Sequence, residues 1–192
     1  MNSLEEVKNR LRPGQVYRRS DLAKWSRSVD RHLSQLVSDN TLVKLQQGVY
    51  LRPKQSRFGK VPANPEKLVR AFLKDDDFLL TSPNDYNALG VGTTQLYNLR
   101  VVYNHKRHGR FKLGGQNFDF RVRPRYPKKV TREFLLVDML NNLEKLAEDC
   151  NEVLQRVKMK LSEIDSKRLR STVKRFAKLS AKKHLENLSY GI

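Results

Sequence analysis

Residues 31–50 have the sequence RHLSQLVSDNTLVKLQQGVY, and their pattern sets the architecture of the first part of the chain. The first half places Leu33, Leu36 and Val37 at helical spacing on one side. The second half predicts two short strands around Gly48, because glycine supplies the positive φ that a tight hairpin needs. A short amphipathic helix that leads directly into a hairpin is typical of a winged helix-turn-helix.

The predicted helix has two chemically different faces. It begins after Ser28, a residue type that favours helix caps, and its apolar stripe includes Val29. The opposite face contains Arg27, Arg31, Ser34, Gln35 and Ser38. It lacks acidic residues, with Asp30 at its margin. One face is therefore predicted to pack, while the other stays accessible to a partner.

Prolines and glycines suggest where the chain divides. Residues 52–64 contain Pro53, Gly59 and Pro62 together with several cations, which predicts an extended basic linker. We therefore expect a winged-helix domain with its basic linker over residues 1–60. A second domain over residues 61–192 should end in a basic helical segment.

The second domain is predicted to mix sheet and helix. Asn64-Pro65-Glu66 is typical of a helix start, and Gly114-Gly115 separates two strands of an antiparallel hairpin. From Thr131 onward the pattern is helical, and one stripe comprises Leu169, Val173, Phe176 and Leu179. The predicted fold class is α+β, with an N-terminal winged helix-turn-helix, a small central mixed α/β region and C-terminal helices.

The charge of the chain predicts an anionic partner. It carries 39 Lys and Arg against 20 Asp and Glu, a formal net charge of +19, and 38% of its residues are hydrophobic. The excess is spread widely, since residues 1–60 hold 13 Lys and Arg against 5 Asp and Glu, and only residues 131–150 are acidic. Nucleic acid is the first expectation, and an acidic protein or a membrane surface the second.

Double-stranded DNA is the partner that the helix and hairpin suit best. Arginine can fork onto guanine or phosphate, glutamine can pair with adenine, and serine can bond phosphate oxygens. The candidate DNA-binding residues are Arg18, Arg19, Arg27, Ser28, Arg31, Ser34, Gln35, Lys44, Gln46, Gln47 and Arg52. The alternative is that this unit is a protein-protein module whose charges form only a solvated face.

A second basic surface is also expected. Its candidate residues are Arg107, Arg110, Arg168, Lys174, Arg175 and Lys178. The C-terminal basic helix could bind phosphate, dock an acidic protein, or simply expose a charged outer face.

Catalytic and metal-binding patterns are weak. His105 and His108 with Asp119 could supply three metal ligands, but the intervening cations oppose a metal site. Asp75-Asp76-Asp77 has no second acidic motif at useful spacing, so a nuclease or nucleotidyltransferase is a minor alternative. We expect neither an enzyme nor a cofactor or metal. The single cysteine, Cys150, and the absence of a signal pattern or a long apolar run predict a cytoplasmic protein without membrane insertion.

Residues 29–50, which end in Gly48-Val49-Tyr50, resemble the N-terminal winged helix of the AbiEi family of antitoxins and transcriptional regulators. The likeness spans about residues 4–140 and includes Leu80-Thr81-Ser82, Ala88-Leu89-Gly90-Val91, Thr94-Gln95 and the basic strands that end at Val122.

The resemblance implies a sequence-specific autorepressor that binds promoter repeats and opposes a nucleotidyltransferase toxin of the AbiEii type. It assigns DNA recognition to Arg27, Ser28, Arg31, Ser34 and Gln35, and backbone contact to the wing around Gln46 and Gln47. The alternative is a non-catalytic interaction protein that binds an acidic toxin or RNA through its basic C-terminal half.

Overall fold

Two units make up the chain in a computed structural model that describes residues 4–188. The first unit comprises the residues up to Asp76 together with Phe111–Asn117, and the second comprises Asp77–Arg110 and the residues from Phe118 onward. Antiparallel strand pairs and C-terminal helices give the α+β class that the sequence predicted. Within residues 4–188, no helix combines the length and apolar character needed to cross a membrane.

The first unit is built around a three-stranded antiparallel sheet in the order β1-β3-β2. Its elements are α1 (Leu4–Arg10), β1 (Val16–Arg18), α2 (Arg19–Ala23), α3 (Val29–Ser38), β2 (Val43–Gln46), β3 (Val49–Leu51), β4 (Lys54–Ser56), β5 (Gly59–Val61) and α4 (Pro65–Leu73). Val7, Leu22, Leu36 and Leu42 are fully buried in its core. Strand β3 lies between β1 and β2, so the hairpin after α3 is fixed to the helical core.

The predicted extended linker is wrong in part. Lys54–Ser56 and Gly59–Val61 pair with each other as a two-stranded antiparallel hairpin. Every residue from Lys54 to Pro62 is exposed. Neither strand therefore needs the alternation of apolar and polar residues by which a strand is predicted from sequence.

The division between the units also falls one helix later than residue 60. Helix α4 contacts β1 within the first unit. Asn64 begins α4 as predicted, since its side-chain oxygen accepts a hydrogen bond from the Lys67 amide at 3.1 Å. The ring of Phe72 on α4 packs 4.9 Å from that of Phe111, which also belongs to the first unit.

The second unit combines sheet and helix. Its elements are β6 (Phe78–Thr81), a 3₁₀ helix (Pro83–Leu89), β7 (Arg100–Asn104), α5 (Arg132–Asn142), α6 (Cys150–Lys160), α7 (Ser166–Phe176) and α8 (Leu179–Asn187), with single 3₁₀ turns at Leu143–Lys145 and Leu161–Glu163. The strands β8 (Gly109–Leu113) and β9 (Gln116–Val122) belong to it except for Phe111–Asn117, which is part of the first unit. The sheet has the order β6-β7-β9-β8, in which β6 is antiparallel and β9 parallel to β7. Gly114 and Gly115 link β8 to β9 with positive φ at both positions, as a two-residue hairpin turn requires.

Helix α5 lies at the centre of the helical part. Its residues from Phe134 to Leu140 are all buried, and α7 and α8 pack against it. The predicted stripe of Leu169, Val173 and Phe176 packs inward, but Leu179 is 70% exposed. The prediction is wrong at Leu179 because α7 ends at Phe176 and Leu179 begins a new helix.

Candidate nucleic-acid interface

Helix α3 separates into the two predicted faces. Val29, Leu33 and Leu36 are buried, which anchors the helix to the first unit. Arg27, just before the helix, and Arg31, Ser34 and Gln35 on it are exposed. The apolar spacing fixes the orientation of α3, and its polar face therefore points to solvent.

Two of the exposed cations are unpaired. Among residues 4–188, neither Arg27 nor Arg31 forms an ion pair or a side-chain hydrogen bond. An exposed guanidinium keeps all five N–H donors accessible to a ligand. These two arginines are the strongest candidates of the predicted set for contact with a base edge or a phosphate.

Arg19 is engaged by an acid of α3. Its Nε and Nη2 atoms lie 2.7 Å and 2.5 Å from the carboxylate oxygens of Asp30, in a bidentate arrangement. The hydrogen bonds from Arg19 lower the pKa of Asp30, and those to Asp30 raise the pKa of Arg19. Arg19 therefore neutralises the acid at the margin of the exposed face, which leaves Arg31 as the unbalanced charge on the helix.

A small hydrogen-bond network sets the start of α3. The hydroxyl oxygen of Ser26, a buried residue, accepts the Ser28 amide at 3.1 Å and lies 2.8 Å from Nδ1 of His32. Ser28 occupies the cap position, but within the described chain its side chain makes no capping hydrogen bond. Ser34 donates its hydroxyl proton to the Asp30 carbonyl at 3.0 Å. The hydroxyls of Ser28 and Ser34 can both still accept a hydrogen bond.

The hairpin after α3 exposes a polar tip. Gln47 and Lys44 are exposed, and Gln46 is half-buried. Gly48 has a φ of +73°, and a Cβ at this position would meet nothing within 4 Å. The glycine is thus required by the backbone conformation of the turn and not by crowding.

Two predicted DNA contacts have structural partners instead. The guanidinium of Arg18 donates to the carbonyls of Ala71 at 3.1 Å and Arg70 at 2.6 Å, near the C-terminus of α4. The guanidinium of Arg52 donates to the Thr41 carbonyl at 2.9 Å, and its Nε is buried. Both side chains hold segments of the first unit together, because the last carbonyls of a helix and those of a tight turn need donors.

The residues of the second predicted basic surface differ in exposure and in partners. Arg107, Arg110, Arg168, Lys174 and Arg175 are exposed, and Lys178 is half-buried. Arg168 lies 3.6 Å from the carboxylate of Asp165 on its own helix. Of the six, Arg175 and Lys178 line a common groove in the second unit.

That groove also contains residues that the sequence analysis did not select. We call it the basic groove, and its main lining side chains are Arg123, Arg125, Tyr126, Arg175, Phe176 and Lys178. The sequence signal was the alternation of arginines in Arg121–Tyr126, a run that also contains Pro124. This run alone does not predict a groove, because the other wall is formed by the α7–α8 junction, which is distant in the sequence.

The proposed ligands of a metal site have other partners. His105 stacks on Tyr126 with ring centroids 4.8 Å apart and lies 3.5 Å from the carboxylate of Asp77. Asp119 is bonded to Arg121 at 2.8 Å. Across residues 4–188, no three His, Cys, Asp or Glu side chains are grouped so that they could hold a metal ion.

Comparisons with known proteins bear on the fold alone. No family model matches the chain, and no curated protein sequence matches it. A solved structure, that of the RV2827C protein from Mycobacterium tuberculosis, is similar, with a TM-score of 0.62 and 15% sequence identity. The match covers 97% of this chain and 74% of that one, so the two proteins share an overall fold.

Proposed function

We propose that the chain is a sequence-specific DNA-binding transcriptional repressor whose first unit is a winged helix. Helix α3 enters the major groove, and the hairpin of β2 and β3 lies against the flanking backbone. The observation that carries the proposal is the exposed face of α3, on which Arg31 stands unpaired among residues 4–188 and Asp30 is neutralised by Arg19. The succession of α2, α3 and the hairpin is the one expected of a winged helix.

The side chains of this face suit different kinds of contact. Arg31 and Gln35 are one helical turn apart and exposed, so both can reach base edges when α3 lies in the groove. Lys44 and Gln47 on the hairpin suit phosphate contacts, which set the register of the protein without carrying sequence information. The formal net charge of +19 supplies the long-range attraction for duplex DNA.

A gel-shift assay tests the proposal with the full chain, a duplex from the region upstream of its own gene, and a random duplex at physiological salt. We expect the upstream duplex to bind about 10³-fold or more tightly. Arg31→Ala should cost about 1–3 kcal/mol on the upstream duplex and little on the random one. Lys44→Ala should weaken both alike.

Arg170→Ala is the matched control, because this arginine is exposed on α7 in the other unit and its loss changes the charge equally. Equal affinity of the wild-type chain for the two duplexes would refute sequence-specific binding.

The resemblance to AbiEi extends the proposal to an antitoxin in the cytoplasm that opposes a nucleotidyltransferase toxin. Co-expression with the product of a neighbouring toxin gene tests it. We expect growth to be rescued by this chain, with or without co-purification of the two proteins. Unchanged toxicity at verified expression would remove the antitoxin part and leave the repressor part standing.

The second candidate is an interaction protein that binds an acidic toxin or RNA through its C-terminal half. The observation that favours it is the outer face of α7, where Arg168, Arg170 and Lys174 are exposed while Leu169 and Val173 are buried. Replacing these three cations with glutamine should abolish binding of the toxin or RNA if this face is the interface. If upstream-duplex binding is unchanged in this variant and weakened in Arg31→Ala, the result would instead favour the repressor.

A further inference from the structure

We propose that the basic groove of the second unit binds a nucleotide, with its base against the aromatic side chains and its phosphate against the cations. The source can be a free nucleotide or one residue of a single-stranded nucleic acid. This site lies apart from α3 in the chain and does not depend on duplex binding by the first unit.

The aromatic side of the groove is held in place. Tyr126 stacks on His105 at 4.8 Å with an interplanar angle of 28°, and its hydroxyl donates to the Asp77 carbonyl at 3.1 Å. The rings of Phe176 and Phe134 pack perpendicular to each other, with centroids 5.7 Å apart and an interplanar angle of 89°. Both Tyr126 and Phe176 are half-buried, so part of each ring is accessible. Such rings form a stacking platform for any base, since every base has a π face.

The wall of the groove holds four cations. Arg123, Arg125, Arg175 and Lys178 line the groove, and among the residues described there is no acidic side chain in its wall. The guanidinium of Arg175 lies over one face of the Phe176 ring, 5.0 Å from its centroid. A nucleotide, whose sugar joins its base to its phosphate, needs aromatic rings and positive charge close together in this way.

The junction of α7 and α8 positions Lys178. The side-chain oxygen of Asn141 accepts the Lys178 amide at 2.7 Å, and its Nδ2 donates to the Phe176 carbonyl at 3.0 Å. Burial lowers the pKa of Lys178, and Arg123 and other nearby cations lower it further. The buried Asp138 offsets only part of this effect, and an anionic ligand would relieve the repulsion that remains.

The size and surroundings of the groove favour a single base over a duplex. The groove is concave, as a site for an unstacked base must be, and its volume is about 190 Å³. A neighbouring depression shares Arg123 and adds Arg110, Arg121 and Lys145, while its one acid, Asp119, is already bonded to Arg121. These cations could follow the backbone of a strand beyond the bound base.

Calorimetric titration of the full chain tests the proposal, using adenosine monophosphate, adenosine, ribose 5-phosphate and a short single-stranded oligoadenylate. We expect saturable binding of the monophosphate, with much weaker binding of adenosine and of ribose 5-phosphate. Tighter binding of the oligoadenylate, in competition with the monophosphate, identifies a strand as the source. Equal or weaker binding of the oligoadenylate identifies the free nucleotide.

Variants locate the site. Tyr126→Leu should weaken binding by about fivefold to 100-fold through lost stacking, whereas Tyr126→Phe keeps the ring and should change it less than about twofold. Arg125→Gln should weaken binding, and Lys158→Gln, the same charge change at an exposed position of α6 outside the groove, should not. The proposal is overturned if neither the monophosphate nor the oligoadenylate saturates, or if Arg125→Gln and Lys158→Gln have equal effects. An acidic peptide that binds as well as the nucleotide and is insensitive to Tyr126→Leu would also overturn it.

Discussion

The most informative perturbation of the fold is Asp138→Asn, because Asp138 is a buried acid in the helical core. Only 3% of this residue is exposed. Its carboxylate accepts hydrogen bonds from the hydroxyls of Tyr86, at 2.7 Å, and Tyr103. Asn142 donates to the Asp138 carbonyl at 2.7 Å. Burial raises the pKa of Asp138, although the two tyrosine hydrogen bonds oppose the shift.

The raised pKa gives stability a definite dependence on pH. In the unfolded chain an aspartate titrates near pH 3.9, so between that value and the higher folded-state pKa the folded protein binds more protons. The free energy of unfolding therefore falls as the pH rises through this window, by up to about 1.4 kcal/mol per pH unit. Asparagine does not ionise, and its amide can accept from one tyrosine hydroxyl and donate to the other.

We therefore expect the stability of Asp138→Asn, relative to the wild-type chain, to increase as the pH rises above about 4. The difference should become constant once the wild-type carboxyl is ionised. Urea unfolding at a series of pH values, followed by far-ultraviolet circular dichroism, measures it. Asp138→Ala is the control. It also lacks the carboxyl, so its stability relative to the wild-type chain should show the same pH dependence. It leaves two buried hydroxyls without an acceptor, so it should be less stable than Asp138→Asn by about 1–3 kcal/mol for each at every pH. A relative stability of Asp138→Asn that is flat or falls between pH about 4 and 8 would refute this assignment.

The remaining predictions concern the first unit. Asp30→Asn should release Arg19 and tighten duplex binding. The slope of log affinity against log salt concentration should become steeper by up to about 0.9 if Arg19 contacts one further phosphate. An unchanged slope in gel shifts over a salt series would contradict this. Arg18→Ala should lower the free energy of unfolding by about 1–3 kcal/mol, while Arg31→Ala should leave it nearly unchanged in the same denaturant titration. Gly48→Ala should cost about 1–2 kcal/mol of stability through its positive φ alone, and Gly48→Asn, which tolerates that φ better, should cost less.

The faces of α3 could be predicted because local spacing decides them. Val29, Leu33 and Leu36 follow the 3.6-residue period, and all three are buried. The hairpin of β4 and β5 could not be predicted in the same way. Its residues are exposed on both strands, so the alternation that normally marks a strand is missing. Within residues 4–188, its strands pair only with each other.

The roles of individual arginines depend on contacts that sequence does not encode locally. Arg18 and Arg31 are both candidate DNA contacts by sequence, yet Arg18 donates to the carbonyl of Ala71, which is 53 residues away. The basic groove likewise depends on the approach of the α7–α8 junction to Arg123 and Arg125. A sequence identifies which residues can bind an anion, whereas the fold determines which of them are already occupied.

The arrangement of acids strengthens the case for two separate anion-binding surfaces. Near α3, Asp30 is held by Arg19 and Asp39 by Lys8 at 2.8 Å, and the Lys8 hydrogen bond, with those from Thr41, lowers the pKa of Asp39 to about 2. Both carboxylates therefore stay ionised and paired at neutral pH, so they neither move toward Arg31 nor titrate. Beside the basic groove, Arg121 engages Asp119 in the same way. Because Asp30, Asp39 and Asp119 are each bound by another cation, the charge of Arg31 remains uncompensated within the described residues. In the groove, the buried Asp138 offsets only part of the repulsion at Lys178. Neutralising Arg31 should therefore weaken duplex recognition by about 1–3 kcal/mol without changing nucleotide binding, and Arg125→Gln should weaken nucleotide binding without changing duplex recognition.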